Sequence, residues 1–244
     1  MKRTYTAMTA VLLVLAMMLC LSGCGNTADT SETSSEPQKS SAAEPTPSQT
    51  EQSTDISNET EEEASAPDDT GSSILVLYFS RTGEQYTVGV IEKGNTAIVA
   101  GMIAEKTGAD LFEIVPADDH YPMTYGELTD VAKREQNENA RPACKDELPD
   151  LSGYDTIFIG APVWWGDWPM IMYTVFENND FAGKKLVPFS THEGSGLSGF
   201  DRKLASACPD SEVLTGAAFR GNDCQNRQES VENEVDNWLA GLVY

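Results

Sequence analysis

From Ile74 to the C-terminus, short continuous apolar runs alternate with longer segments in which apolar residues recur every three or four positions. Ile74–Phe79 is unbroken by polar residues, as expected of a strand covered on both faces of a parallel sheet. Leu111–Val115, Thr156–Ile159, Leu186–Phe189 and the short Glu212–Leu214 repeat that signature. Between them the period changes to that of a helix. Ala97–Thr107 sets Ile98, Val99, Met102 and Ile103 on one face and stops at Gly108, a residue suited to a helix C-terminus. Thr124 with Glu127 forms a capping-box pattern ahead of Leu128, Val131 and Ala132. Pro169 opens a helix that carries Ile171, Met172, Val175 and Phe176. A fourth helix runs through Phe200, Leu204 and Ala207, and a fifth carries Val231, Val235, Trp238, Leu239 and Leu242. Five strands alternating with five helices predict right-handed crossovers and a doubly wound α/β fold. Ligands of such sheets bind beyond the carboxyl ends of the strands, where the strand order reverses.

Three loops at those ends share a character. The first is Ser80-Arg81-Thr82-Gly83, completed after an interruption by Gly94-Asn95-Thr96. An apolar strand there runs into small hydroxyl residues and a helix start, which brings backbone N–H groups and a positive dipole end together and suits a phosphate. The second is Ala161-Pro162-Val163-Trp164-Trp165-Gly166-Asp167-Trp168-Pro169, and the third is Ser190-Thr191-His192-Glu193-Gly194-Ser195-Gly196. A flat aromatic ligand with a phosphate tail would use all three: donors for the phosphate, indole faces for stacking, glycines for close backbone approach. His192 is either an acid–base group or a simple hydrogen-bond donor, and His120 has no partner in the sequence and reads as structural. Ser195 and Ser198 do not sit in a G-x-S-x-G elbow, which argues against a serine hydrolase.

The first 73 residues are of another kind. Lys2 and Arg3 precede an apolar run from about Ala7 to Leu19, too short to span a bilayer comfortably and positively flanked like a signal segment. Leu21-Ser22-Gly23-Cys24 resembles the lipobox of bacterial lipoproteins, which implies cleavage before Cys24 and a lipid on that residue; an ordinary secretory peptide is the alternative. Residues 25–73 are rich in Ser, Thr, Glu, Pro and Ala, with twelve acidic side chains and one lysine, and bury too little to offset the entropy of ordering. The expected division is therefore a signal peptide over 1–23, an acidic tether over 24–73 and one folded domain over 74–244.

Charge narrows the partners. The whole chain carries −23, and the segment from Ile74 onward has 27 acidic against 13 basic side chains. Nucleic acid is excluded as a partner, since phosphate backbones need a positive face; a basic protein or a neutral small molecule fits better. Cys144, Cys208 and Cys224 remain in the domain with no metal-binding spacing, and an unpaired state is the plainer reading.

The segment from about Ile74 to Leu242 resembles the flavodoxins, the FMN-binding doubly wound fold with a five-stranded parallel sheet of order 2-1-3-4-5 and helices on both faces. Ser80-Arg-Thr-Gly and Asn95-Thr96 resemble the halves of that family's phosphate signature, and Ala161-Pro-Val-Trp-Trp-Gly and Thr191-His-Glu-Gly-Ser-Gly resemble its two flavin-ring loops. The resemblance implies FMN as cofactor, bound by Ser80, Arg81, Thr82, Gly83, Asn95 and Thr96 at the phosphate. It implies Pro162, Val163, Trp164, Trp165, Gly166, Thr191, His192, Glu193, Gly194 and Gly196 at the ring. Arg81 either neutralises phosphate or points to solvent. Residues 84–94 interrupt a signature that the family keeps continuous, which leaves the part played by Gly83 open.

The resemblance further implies that a glycine peptide beside the ring, at Gly166, reorients with the redox state. The acidic domain, and Asp167 and Glu193 in particular, is expected to lower the flavin potential. Three functions follow. The first is a lipid-anchored carrier passing electrons to a redox partner protein or small molecule at the outer face of the cytoplasmic membrane. The second is an FMN-dependent NAD(P)H or quinone-type reductase whose site is shaped by residues 84–94. The third is a flavin-free domain of the same fold that binds a partner.

Overall fold

Buried and paired on both sides, Ile74–Phe79 (β1) is an interior strand of a parallel sheet in a computed structural model that describes residues 74–244. The signal segment, Cys24 and the acidic tether lie outside the described residues. A hairpin follows β1, made of Gly83–Gln85 (β2) and Gly89–Ile91 (β3), and helix α1 covers Asn95–Thr107. The chain continues through β4 (Asp110–Ile114), α2 (Tyr125–Glu138), β5 (Thr156–Pro162) and α3 (Met170–Asn178). It closes with β6 (Lys185–His192), α4 (Phe200–Ala207), β7 (Glu212–Val213), β8 (Ala217–Arg220), α5 (Gly221–Asn226) and α6 (Gln228–Ala240).

The strand order is β4-β1-β5-β6-β7, with β8 also on β6, and every pairing in this sheet is parallel. Numbered without the hairpin, this is the 2-1-3-4-5 order of the sequence reading. The register sets Val76 beside Leu111 and Phe158 beside Val187, so alternate residues of each strand feed opposite cores. Leu75, Leu77, Phe79, Ile157 and Ile159 pack with Leu128 of α2 and with α3 and α4. Val76, Phe158, Val187 and Phe189 pack with α1 and α6 on the other side.

Three features depart from the sequence reading. The fifth strand is split: β7 pairs Val213 with Leu186 and β8 pairs Ala217 with Phe189, leaving a break opposite Pro188. Proline has no N–H to give an edge partner, so the ladder is interrupted there. The Thr124–Glu127 pair forms, but as a hydroxyl donating to a carboxylate; Thr124 makes no side-chain bond to the helix backbone. The N–H of Tyr125 is satisfied from outside, by Glu84 Oε2 at 2.9 Å. The interruption over residues 84–94 is the β2–β3 hairpin itself, bound to the segment before α2 through Glu84 N–H to Met123 O at 2.8 Å.

Cys144, Cys208 and Cys224 are unpaired, and burial pushes the thiols of Cys208 and Cys224 up to about 11 and about 12. Among the described residues no helix is long and apolar enough to cross a membrane.

Candidate functional site

A cavity of about 510 Å3 opens at the carboxyl ends of β1, β5 and β6, where the strand order reverses. At one end lie Ser80, Asn95, Thr96 and Thr191. Helix α1 starts there, and its first N–H groups have no intrahelical acceptor. Ser80 Oγ accepts from Ala97 N–H at 3.0 Å, which fixes the strand end to the helix start and leaves the N–H groups of Asn95 and Thr96 at the cavity. Thr96 Oγ1 and Thr191 Oγ1 share a buried hydrogen bond of 2.8 Å, joining the first loop to the third. The second and third loops are joined by Val163 N–H donating to Thr191 O at 2.9 Å.

Close packing explains two glycines. A Cβ on Gly94 would lie 2.1 Å from Ser80 Oγ and 2.7 Å from Arg81 O. One on Gly221 would lie 2.4 Å from Asn95 Nδ2. Gly221 and Gln225, whose Nε2 donates to Asn95 Oδ1 at 2.8 Å, hold Asn95 from α5. Sequence reasoning missed both, because that contact is 130 residues away along the chain.

At the other end stand Trp164 and Trp165. They occupy the first two positions of a turn closed by Trp164 and Asp167, whose backbones exchange two hydrogen bonds of 2.9 Å. Both central residues have positive φ, Trp165 at 51° and Gly166 at 73°, the signature of a type I′ turn. A tryptophan in that region is strained, and such strain persists only where surroundings enforce it. Here α2 does so from one face. Thr129 O accepts from Trp165 Nε1 at 2.9 Å, Lys133 Nζ lies 4.9 Å above the indole, and Gln136 Nε2 donates to Trp165 O at 3.4 Å. Spaced i, i+4 and i+7, these three residues share a helix face. Trp165 remains 53% exposed, whereas Trp164 packs edge-on against Phe79 and Tyr121.

The remaining site residues distribute as follows. Arg81, Pro162, Val163, His192 and Glu193 line the cavity. Thr82, Gly83, Gly166, Gly194 and Gly196 do not line it. Gly83 instead faces Met123, whose carbonyl would be 2.7 Å from a Cβ at that position. Gly194 and Gly196 shape the third loop at φ 119° and 62°, and Ser190 Oγ closes it by donating to Gly196 O at 3.0 Å. The third tryptophan of the second loop, Trp168, is core: it is 1% exposed and stacked on Phe200.

Charges near the cavity are paired. Arg81 turns neither to phosphate nor to solvent; it binds Asp119 at 2.7 Å and donates to Tyr121 O at 2.8 Å. Glu193 pairs with Arg220 at 3.0 Å and accepts from Asn222 N–H at 2.5 Å, and Asp167 is held by Lys203 and by Tyr173 OH. Both carboxylates suspected of lowering a flavin potential thus have cations beside them, and Asp167 is outside the cavity lining. His192 Nδ1 accepts from Gly194 N–H at 2.8 Å, so its proton sits on Nε2, and burial holds its pKa below the ordinary value. The ring is therefore a neutral donor.

His120, expected to be structural, finds a partner in buried Glu135. Nε2 lies 2.8 Å from Glu135 Oε1 and Nδ1 lies 2.8 Å from Asp118 O, while Tyr121 OH donates to Glu135 Oε2 at 3.0 Å. Two acceptors around one imidazole favour its charged form, and the pKa is raised, chiefly by the bond to Glu135.

The family profile described as flavodoxin matches residues 73–240, more than two thirds of the chain. The chain belongs to the flavodoxin family. A protein from Bacteroides uniformis, assigned as a flavoprotein, is 30% identical, with a TM-score of 0.53 over 66% of this chain and 99% of its own. A similarly assigned protein from Bacteroides eggerthii is 29% identical, with a TM-score of 0.51 over 65% and 96%. No curated protein matches. For this flavodoxin, family membership supports FMN as the cofactor. The residues present fit that group. A crowded glycine and free N–H groups form an anion cradle at one end of the cavity, an indole wall stands at the other, and the volume lies in the range of small-molecule sites.

Proposed function

We propose that this flavodoxin is an FMN-dependent electron-transfer protein, tethered through lipid on Cys24 to the outer face of the cytoplasmic membrane. The observation that carries the redox reading is the pairing, in one cavity, of the α1 cradle with the Trp164–Trp165 wall. FMN, when bound, supplies one- and two-electron chemistry. The chain supplies the setting for it. Asn95 and Thr96 N–H groups and the hydroxyls of Ser80 and Thr96 receive the phosphate, and its charge is met by dipoles, because Arg81 is already paired. Trp165 would cover the ring of a bound FMN, and its exposure keeps that end of the site near the surface, within reach of a redox partner. His192 offers its Nε2 proton to a ring acceptor.

A second reading, an FMN-dependent reductase of small molecules, is favoured by one observation. The β2–β3 hairpin adds Gln85, Tyr86 and Val88 to the cavity lining, more wall than the three loops supply.

The full chain should purify with a yellow chromophore and bind FMN more tightly than riboflavin. Equal affinity for the two, or none for either, overturns the phosphate cradle. Cys24→Ala should release the protein from membranes or leave an unprocessed precursor; unchanged fractionation and migration would refute the anchor.

A further inference from the structure

We propose that Tyr86 and Tyr125 form a second subsite of the cavity, which binds a planar, uncharged aromatic molecule of the quinone class. The proposal rests on the FMN reading above, since it assigns the cradle and the tryptophan wall to the flavin.

Eight large apolar side chains are exposed among the described residues, and three of them, Tyr86, Tyr125 and Trp165, line this cavity. A concentrated apolar rim on an acidic domain marks a binding surface. Tyr86 and Tyr125 both line the cavity, with ring centroids 5.4 Å apart and planes tilted by 31°. They are 55% and 37% exposed, so what they touch arrives from solvent.

The pair is also held in place. Strands of three residues do not stand alone in water, so the hairpin needs other support. It is fixed by Glu84 at both ends, through N–H to Met123 O at 2.8 Å and Oε2 from Tyr125 N–H at 2.9 Å. The close approach depends on Gly83, at φ 86° and with no room for a Cβ against Met123 O. An aromatic platform fixed before the ligand arrives loses little entropy on binding.

Charge selects the ligand class. The two charged side chains in the lining, Arg81 and Glu193, are each neutralised by a partner, and the domain as a whole repels anions. The lining itself offers no unpaired cation for the phosphates of a nicotinamide nucleotide. Stacking faces together with two phenolic donors suit a flat ring bearing carbonyl oxygens.

The test uses the full-length protein loaded with oxidised FMN and titrated calorimetrically with menadione, a naphthoquinone, without reductant. FMN affinity is measured first, and its absence overturns the function proposed above, independently of the menadione result. One saturable menadione site is expected. Tyr86→Ala and Tyr125→Ala should each weaken it about threefold to tenfold, the range for one aromatic contact, with FMN affinity unchanged and Tyr86→Phe, which keeps the ring and loses only the donor, weakened less than Tyr86→Ala. The proposal is overturned if menadione does not saturate, if neither alanine variant weakens it, or if FMN weakens in parallel, which would make the tyrosines part of the flavin wall.

Discussion

Replacing Gly94 by alanine tests the cradle, because the structure specifies what the added methyl would strike. Gly94 has φ −64° and ψ 147°, which any residue adopts, so the substitution introduces no backbone strain. Its effect is steric: 2.1 Å to Ser80 Oγ, 2.7 Å to Arg81 O and 3.1 Å to Arg81 C. Rotation of Ser80 relieves the first contact but gives up the bond from Ala97 N–H, a capping interaction of about 1 kcal/mol. The contact with Arg81 O involves backbone that follows directly on β1 and cannot rotate away. Overpacking of this kind typically costs about 1–3 kcal/mol.

The expected loss for Gly94→Ala is therefore about 2–4 kcal/mol, against about 1 kcal/mol for Ser80→Ala. With a typical domain stability of about 5–15 kcal/mol, the variant should remain folded. Moving the α1 start away from Ser80 should also remove at least one charge-assisted hydrogen bond to phosphate, about 1.5–3 kcal/mol, a roughly 10- to 150-fold loss of FMN affinity. Riboflavin should be little affected. Urea unfolding of both variants without flavin, with fluorescence titrations of both ligands, measures each quantity. If Gly94→Ala is no less stable than Ser80→Ala, the close approach of the two segments is not what fixes the cradle.

Thr96→Val should weaken FMN and destabilise the domain by about 1–3 kcal/mol, since it leaves the buried Thr191 hydroxyl unpaired, whereas Thr82→Ala should leave FMN affinity unchanged. Isothermal titration of both variants separates them, and equal effects would contradict the assignment. Trp165→Gly should relieve about 1–2 kcal/mol of left-handed strain while abolishing part of the flavin fluorescence quenching; a drop in both stability and quenching would show that the α2 contacts outweigh the strain. Because the folded pKa of His120 is raised, its stabilisation is complete below the ordinary value of 6.5 and disappears as pH climbs through the higher folded value. Urea midpoints should accordingly fall above about pH 6.5, less steeply in His120→Gln, and parallel curves would refute the His120–Glu135 pair.

The fold and the position of the site were legible because both rest on local chemistry repeated along the chain. The apolar run at β1 and the Phe200–Ala207 helix were located by period alone, and strand–helix alternation sets crossover handedness and hence the ligand-binding edge. The three loops were identified by residue type. The hairpin was not legible, because strands of three residues carry no period to read. The break at Pro188 left a signal that could have been used, a proline inside an apolar strand run.

Side-chain roles were settled by contacts distant in sequence. Arg81 meets Asp119, Asp167 meets Lys203, Trp168 meets Phe200 and His120 meets Glu135. In each case the residue type offers several partners of similar energy, and only packing brings one within reach. The sequence by itself determined the alternation of strands and helices and the edge expected to bind, since these follow from periodicity and chirality, while the strand order came with the resemblance to the flavodoxins. Tertiary structure alone decided which charges face the cavity and which are neutralised, because a pairing depends on a few ångströms of separation that no local pattern encodes.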